Sequence, residues 1–271
     1  MEKILRVLKE FEEIQGLRLL LSGGEPLLHP HFWEINEILR DDAFRSILLS
    51  NGTLITKQTA KRLRVHEVQV SLDGMKAGHE SIRGEKTFEK ALQAIDNLQE
   101  VNIRVSIATM IHRHNLKEFD ALLPFIQSKN IDEWNVDIPC ITGRMKENED
   151  FWVSPVEAGP FLQYGYGGGL HSSEKNACCG AHLCAILPNG HVAKCGLFSE
   201  DPAGSVDEGL RTCWERIPRI QLKDLTCNCT QTEECRGGCR FRAKLHGGIL
   251  HPDLFQCYAR GVLKGGEEND Y

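Results

Sequence analysis

Three things are scarce in this sequence, and each scarcity narrows what the chain can be. Long apolar runs are missing. No segment could span a bilayer, and Met1 to Gln15 mixes apolar and charged residues at helical spacing instead of forming a signal-peptide core. An excess of basic charge is also missing. The net charge is −6 and the pI is near 6.0, which gives no reason to expect a nucleic acid or an anionic membrane as partner. The expectation is a cytoplasmic protein with no membrane and no nucleic-acid partner. Finally, cysteine is nearly absent from the first 177 residues, where Cys140 stands alone, although the chain has 11.

What is present is ordinary for a folded chain: 271 residues, 41% apolar and 26% charged, enough for one large domain and a smaller one. The first half alternates helical and strand patterns. Helical periodicity covers residues 2–14, 32–39, 57–63 (with Thr56 as cap), 88–98 and 116–128. Short apolar runs at 17–21, 46–49, 67–72, 103–109 and 134–138 predict strands, the first of them buried. Strand and helix alternating at this spacing imply repeated βαβ units and a parallel sheet. In such folds the ligand site lies beyond the C-terminal strand ends. Polar, glycine-rich sequences fall there: Ser22-Gly23-Gly24-Glu25-Pro26, Asn51-Gly52 and Ser71-Leu72-Asp73-Gly74. Each alone reads as a turn; three in one layer point to a site.

Residues 141–177 read as a connection, with Gly165-Tyr166-Gly167-Gly168-Gly169 as flexible linker. From residue 178 onward cysteine is dense: Cys178, Cys179, Cys184, Cys195, Cys213, Cys227, Cys229, Cys235, Cys239 and Cys257. In a reducing compartment such density means metal ligation rather than disulfides. Eight of these thiols make two sets of four, which suits either tetrahedral zinc or iron–sulfur clusters. Leu187 to Cys195 reads as a β-hairpin turning at Asn189-Gly190. In Cys235-Arg236-Gly237-Gly238-Cys239-Arg240, the two glycines would let the backbone approach a metal centre.

This second half resembles the SPASM domain of radical S-adenosylmethionine (SAM) enzymes. Cys178, Gly190 and Cys195 match the first part of that pattern, and Cys229, Cys235, Cys239 and Cys257 the rest. One spacing departs from it: Cys227 and Cys229 are separated by one residue where the family has two. Carried over by position, the resemblance implies two auxiliary 4Fe-4S clusters. One would be held by Cys178, Cys184, Cys195 and Cys239, with Cys179 able to replace Cys178. The other would be held by Cys227, Cys229, Cys235 and Cys257. Cys140 and Cys213 are left over, expected to be buried or inert thiols.

The first half resembles the radical SAM partial (β/α)6 barrel. Ser22-Gly23-Gly24-Glu25-Pro26 is similar to the Gly-Gly-Glu-Pro motif that receives the SAM methionine ammonium. Ser71 and Asp73 stand where the family binds the SAM ribose, Ile82-Arg83-Gly84 to Phe88 resembles the segment after that strand, and Asn51 and Thr109 are further pocket positions. The family's Cys-x3-Cys-x2-Cys loop, which holds the SAM-cleaving cluster after the first barrel strand, has no counterpart here. The implied architecture is an α/β protein: an incomplete radical SAM partial barrel lacking its first strand (residues 1–140), a connecting segment (141–177) and a SPASM domain with a β-hairpin (178–271). The implied function is radical-based modification of a peptide or protein, with no SAM cleavage by this chain alone. Its partners would be that substrate and either a complete radical SAM enzyme or an N-terminal segment. The alternatives are a non-catalytic iron–sulfur electron-transfer or peptide-presenting partner of such an enzyme, and a zinc-stabilised binding module.

Overall fold

The computed structural model describes residues 1–39, 44–167, 176–178 and 180–264. They fold as two compact units. The first comprises residues 1–2, 11–138 and 164–167; the second comprises 3–10, 139–163 and the described chain beyond 168.

The first helix, α1 (Glu2–Glu13), has most of its residues in the second unit. The first unit is built on β1 (Arg18–Leu21), α2 (Phe32–Ile38), β2 (Arg45–Ser50), α3 (Lys57–Arg62), β3 (Glu67–Ser71), α4 (Lys76–Arg83), α5 (Thr87–Glu100), β4 (Arg104–Met110), α6 (Phe119–Ser128) and β5 (Trp134–Asp137). The sheet runs β1-β2-β3-β4-β5 with every pair parallel. Parallel neighbours need crossovers, and each crossover is helical. Strand order follows chain order without reversal, so this is the progression of a (β/α) partial barrel rather than of a doubly wound sheet.

The interior strands are apolar because both faces are covered. Leu48, Val68, Val70 and Ile107 are fully buried, together with Ala91, Ala94, Ile95 and Leu98 of α5 and Phe119, Leu122 and Ile126 of α6. β1 differs. Its residues are exposed or only half-buried and Leu17 is 82% exposed, against the expectation of a buried strand, because among the described residues β1 has a neighbour on one side only. Thr56 caps α3 as expected, accepting from Thr59 N–H (3.1 Å).

Two elements escape the sequence pattern. Helix α4 is mostly polar, and its N-terminus is capped from 40 residues away: Glu118 accepts from Met75 N–H (2.8 Å) and Gly78 N–H (3.0 Å). The stretch read as a connection carries short helical turns over Gly143–Glu147, Glu149–Phe151 and Gly159–Tyr164, and α7 (Pro155–Ala158) closed by a Ser154/Glu157 capping box. Gly168 and Gly169 lie outside the described residues.

In the second unit, β6 (Ala185–Ile186) and β7 (His191–Ala193) form the expected hairpin, with Gly190 at φ +84° in its turn. A third strand, β8 (Gly204–Ser205), pairs with β7. Then come α8 (Leu210–Arg216), α9 (Thr232–Cys235), α10 (Arg240–His246) and α11 (Leu254–Ala259). α1 is tied to this unit by Lys3 and Arg6, each 2.9 Å from Asp207, and by Glu10, which accepts from Leu210 N–H (2.6 Å).

Candidate functional site

Both regions singled out by the sequence have definite local structure. In the first unit, the chain leaves β1 through Ser22, Gly23 and Gly24, all exposed. Gly23 has φ +151°, and a Cβ on either glycine would meet nothing within 4 Å. The main chain there borders open space and can be approached closely. Glu25 follows as the N-cap of a tight turn over Pro26–Leu28. Its carboxylate reaches across to β2, accepting from Ser50 Oγ (3.0 and 3.1 Å), Asn51 N–H (2.9 Å) and Leu27 N–H (3.3 Å). All these donors are neutral, and among the described residues no cation pairs with Glu25. A half-buried carboxylate oriented this way can accept a charge-assisted hydrogen bond from a cationic group placed over the bare glycine backbone. The chemistry fits an ammonium such as that of SAM.

The other strand-end positions divide. Asn51 makes an Asx turn, its Oδ1 accepting from Thr53 N–H (2.9 Å) and Thr53 Oγ1 (2.7 Å), and stays half-buried beside Glu25. Ser71 ends β3, also half-buried. Asp73 is fully buried. Its Oδ1 accepts from Met110 N–H (2.7 Å), its Oδ2 from Arg83 Nε (2.5 Å), and its own N–H donates to His79 Nδ1 (3.1 Å). Asn115 closes this knot by donating to Asp73 O (2.7 Å) and Met110 O (2.8 Å). Asp73 here locks the end of β3 to that of β4. Thr109 is likewise internal, donating to Leu72 O (2.6 Å) and accepting from Trp134 Nε1 (2.8 Å). Burial lowers the pKa of His79 and pushes that of His112 down to about 4, against the opposing pull of Asp73.

In the second unit the cysteines come from several elements. Cys178 is buried beside a two-strand bridge, donating its N–H to Ile220 O (3.0 Å). Cys184 precedes β6, and Cys195 follows β7. Cys227 and Cys229 lie in the loop before α9, Cys235 ends α9, Cys239 is the N-cap of α10, and Cys257 is inside α11. Cys179 lies outside the described residues.

Electrostatic coupling shows which thiols are neighbours. Burial raises Cys257 to about 12, and Cys235, Cys229 and Cys227 add to the shift. Cys235 in turn is raised by burial, then by Cys229 and Cys227. These four are the set assigned by position to the second cluster. Cys195 is raised by burial and by Cys239, both members of the first set. Cys184, pushed to about 11 by burial, senses Cys213 instead. Cys213 is fully buried and donates to Ser205 O (3.2 Å). Among the described residues, no three His, Cys, Asp or Glu side chains stand close enough to hold one ion. All-thiolate donor sets of this kind suit either zinc or iron–sulfur clusters.

Arginines organise this unit, a role visible in the composition of the loop, where five of the eight residues from Cys235 to Arg242 are arginine or glycine. Arg236, at φ +53°, donates through Nε (3.1 Å) and Nη2 (2.7 Å) to Ala177 O, holding Cys178 beside the Cys235–Cys239 loop. Arg242 and Asp253 form a buried pair at 2.9 Å, and Asp253 also accepts from Cys239 N–H (2.8 Å). The glycines make room for side chains as well as backbone: a Cβ on Gly237 would meet Leu225 and the Arg240 guanidinium, and one on Gly238 would meet Asp253 and Gln256.

Known proteins bear on both units. Residues 1–126 match the model of the radical SAM superfamily. An AdoMet-dependent heme synthase of Methanosarcina barkeri is 32% identical over 175 residues, covering 62% of this chain and 50% of that protein. Mycofactocin maturase MftC of Mycobacterium tuberculosis is 27% identical over 283 residues, covering 90% of this chain and 71% of the maturase. The chain thus spans half to about three quarters of such relatives. Among solved structures, Streptococcus suis SuiB matches with a TM-score of 0.69 at 15% identity, covering 93% of this chain and 69% of SuiB. anSMEcpe with bound AdoMet matches with a TM-score of 0.71 at 18% identity, covering 96% of this chain and 85% of that one. At these identities the structural matches establish the fold. Sheet order and the matched region agree: residues 1–126 match the radical SAM superfamily model, on a fold shared with SuiB and anSMEcpe.

Proposed function

We propose that this chain is a radical SAM/SPASM protein acting in the modification of a peptide or protein, with SAM at the β1 and β2 strand ends and two auxiliary 4Fe-4S clusters in the cysteine-bearing unit. The observation that carries the SAM assignment is Glu25, an oriented carboxylate facing open glycine backbone with neutral partners only. It would accept the methionine ammonium, while Asn51 and Ser71 border the same layer. When SAM is bound and reduced by one electron, it supplies a 5′-deoxyadenosyl radical that takes hydrogen from the substrate.

The cluster assignment is supported by the thiol neighbourhoods of Cys227, Cys229, Cys235 and Cys257, and of Cys195 with Cys239, while Cys178 senses Cys227 and its place in the first set rests on the sequence resemblance. A peptide substrate is supported by relatives: one is a mycofactocin maturase, and SuiB has been seen with the precursor peptide SuiA. The electron for SAM must come from a cluster held outside these 271 residues, since they contain no Cys-x3-Cys-x2-Cys. That same fact favours a second reading, a non-catalytic iron–sulfur partner that passes electrons or presents the peptide to a complete radical SAM enzyme.

Anaerobic incubation of the reconstituted chain with SAM and a strong reductant tests the division of labour. No 5′-deoxyadenosine above a protein-free control is expected from the chain alone. Formation by the chain alone would overturn it.

A further inference from the structure

The cysteine-bearing unit contains a cavity of about 660 Å³, a volume typical of small-ligand sites. All the residues that line it belong to that one unit. Its walls come from the start of α9, from α11 and the residues after it, and from the turn over Gly159–Tyr164. Leu162 and Ala259 supply the apolar part. Gly261 borders open space, since a Cβ there would meet nothing within 4 Å.

Three glutamines line this cavity. Gln231 is the N-cap of α9, yet its side chain makes no capping bond. Gln256 has its stem packed at Gly238, where a Cβ would approach Gln256 Cγ to 2.7 Å. Both residues are half-buried, and among the described residues neither side-chain amide has a hydrogen-bond partner. Gln163 is anchored: its Nε2 donates to Ala259 O (2.6 Å), which leaves Oε1 as an acceptor. Polar groups removed from water are ordinarily paired. The cavity therefore concentrates unmet donors and acceptors.

The lining also sets the charge of what fits. Arg260 is the one ionic group on it among the described residues. Glu234 already neutralises that charge, with Nη1 donating to Oε2 (3.0 Å) and Nη2 to the Glu234 carbonyl (3.3 Å). An anion would compete with Glu234, and a cation would meet no lining carboxylate. Among the described residues no aromatic ring lines the space, so a nucleobase would have no stacking platform. A neutral group that both donates and accepts fits best. Each glutamine amide offers two donors and a carbonyl, and a peptide group answers with its own carbonyl and N–H.

We propose that this cavity is a binding subsite for a neutral peptide segment, held by its main chain through Gln163, Gln231 and Gln256. The inference rests on the peptide-modification reading and deepens it: the peptide gains a place against the helices that carry Cys235 and Cys257.

The test uses the full chain, reconstituted anaerobically, and a capped tetrapeptide probe, Gly-Ser-Asn-Gly, acetylated and amidated at its ends. Two further probes replace the central pair by Asp-Asp or Lys-Lys. Saturation-transfer NMR titrations give the affinity of each. The neutral probe is expected to bind most tightly. Gln231→Leu and Gln256→Leu should each weaken it about fivefold, the worth of one neutral hydrogen bond. Gln256→Glu should turn the preference towards the Lys-Lys probe. Gln256 adjoins Cys257, so iron content is measured in every variant; Gln231→Leu, which removes no hydrogen bond of the fold, decides the matter if the Gln256 variants fail to load. Preference of the wild type for a charged probe overturns the neutral assignment. Neutral-probe affinity unchanged in the loaded glutamine variants overturns this cavity as its site. No binding of any probe to the loaded wild type overturns the subsite. The peptide-modification reading fails separately, if a complete radical SAM enzyme together with this chain leaves precursor peptides unmodified.

Discussion

At the scale of single residues, the charged side chains decide most. Asp253 is paired with Arg242 and accepts from Cys239 N–H, with 1% exposure. Replacing one partner of a buried pair strands the other charge, so Asp253→Asn should cost about 3–5 kcal/mol, measured by urea denaturation, and loosen the Cys239 turn. Glu25→Gln removes the one charge at the glycine loop while keeping an acceptor for Ser50 and Asn51. Stability should change little, and SAM affinity measured calorimetrically should fall roughly tenfold, the worth of one charge-assisted hydrogen bond.

His112 titrates near 4 when folded and near 6.5 when unfolded, with Asp73, Arg83 and His114 as its charged neighbours. Between those values the unfolded state binds a proton that the native state does not. Stability therefore rises with pH across this window. The contribution is complete above pH 6.5 and is lost as pH falls towards 4, by roughly 2–3 kcal/mol. Equilibrium unfolding at pH 7, 5.5 and 4.5 measures it, and His112→Gln should flatten the profile.

At the scale of elements, the five strands were legible because buried parallel strands read as apolar runs, as in Ile47 to Leu49 and Val68 to Val70. Helix α4 was not legible: its cap, Glu118, arrives through tertiary structure. Strand β8 is two residues long, too short for any period to show. The glycine loop was readable as a site, whereas Asp73 was not readable as a lock, because Met110, Arg83 and His79 are its partners only after folding. The turns between 143 and 164 were hidden by their brevity, yet they have tight packing. A Cβ on Gly159 would lie 2.6 Å from Tyr258 Cβ and 2.7 Å from Phe255 O, on the helix that carries Cys257. Gly159→Ala should destabilise the protein by about 1–3 kcal/mol through overpacking, seen as a lower melting temperature.

At the scale of the molecule, the chain divides its chemistry between two folded units. A parallel α/β unit within the radical SAM superfamily match offers a carboxylate and bare backbone at its strand ends. A second unit, with few and short strands, carries the thiols described beyond residue 176, and its arginines and Asp253 fix the loops around them. On the proposed cluster assignment, ligation supplies folding free energy to such a unit. Chelation should therefore increase protease sensitivity after residue 176 far more than in residues 11–138.

The central claim is that this cysteine-rich unit holds two four-iron clusters. The most direct measurement is the iron and acid-labile sulfide content of the anaerobically reconstituted chain, read with its visible and EPR spectra. About eight irons and eight sulfides per chain are expected, two clusters of four, falling by about half in a Cys227→Ala/Cys257→Ala double variant. Stoichiometric zinc with no sulfide and no visible absorbance would contradict the account.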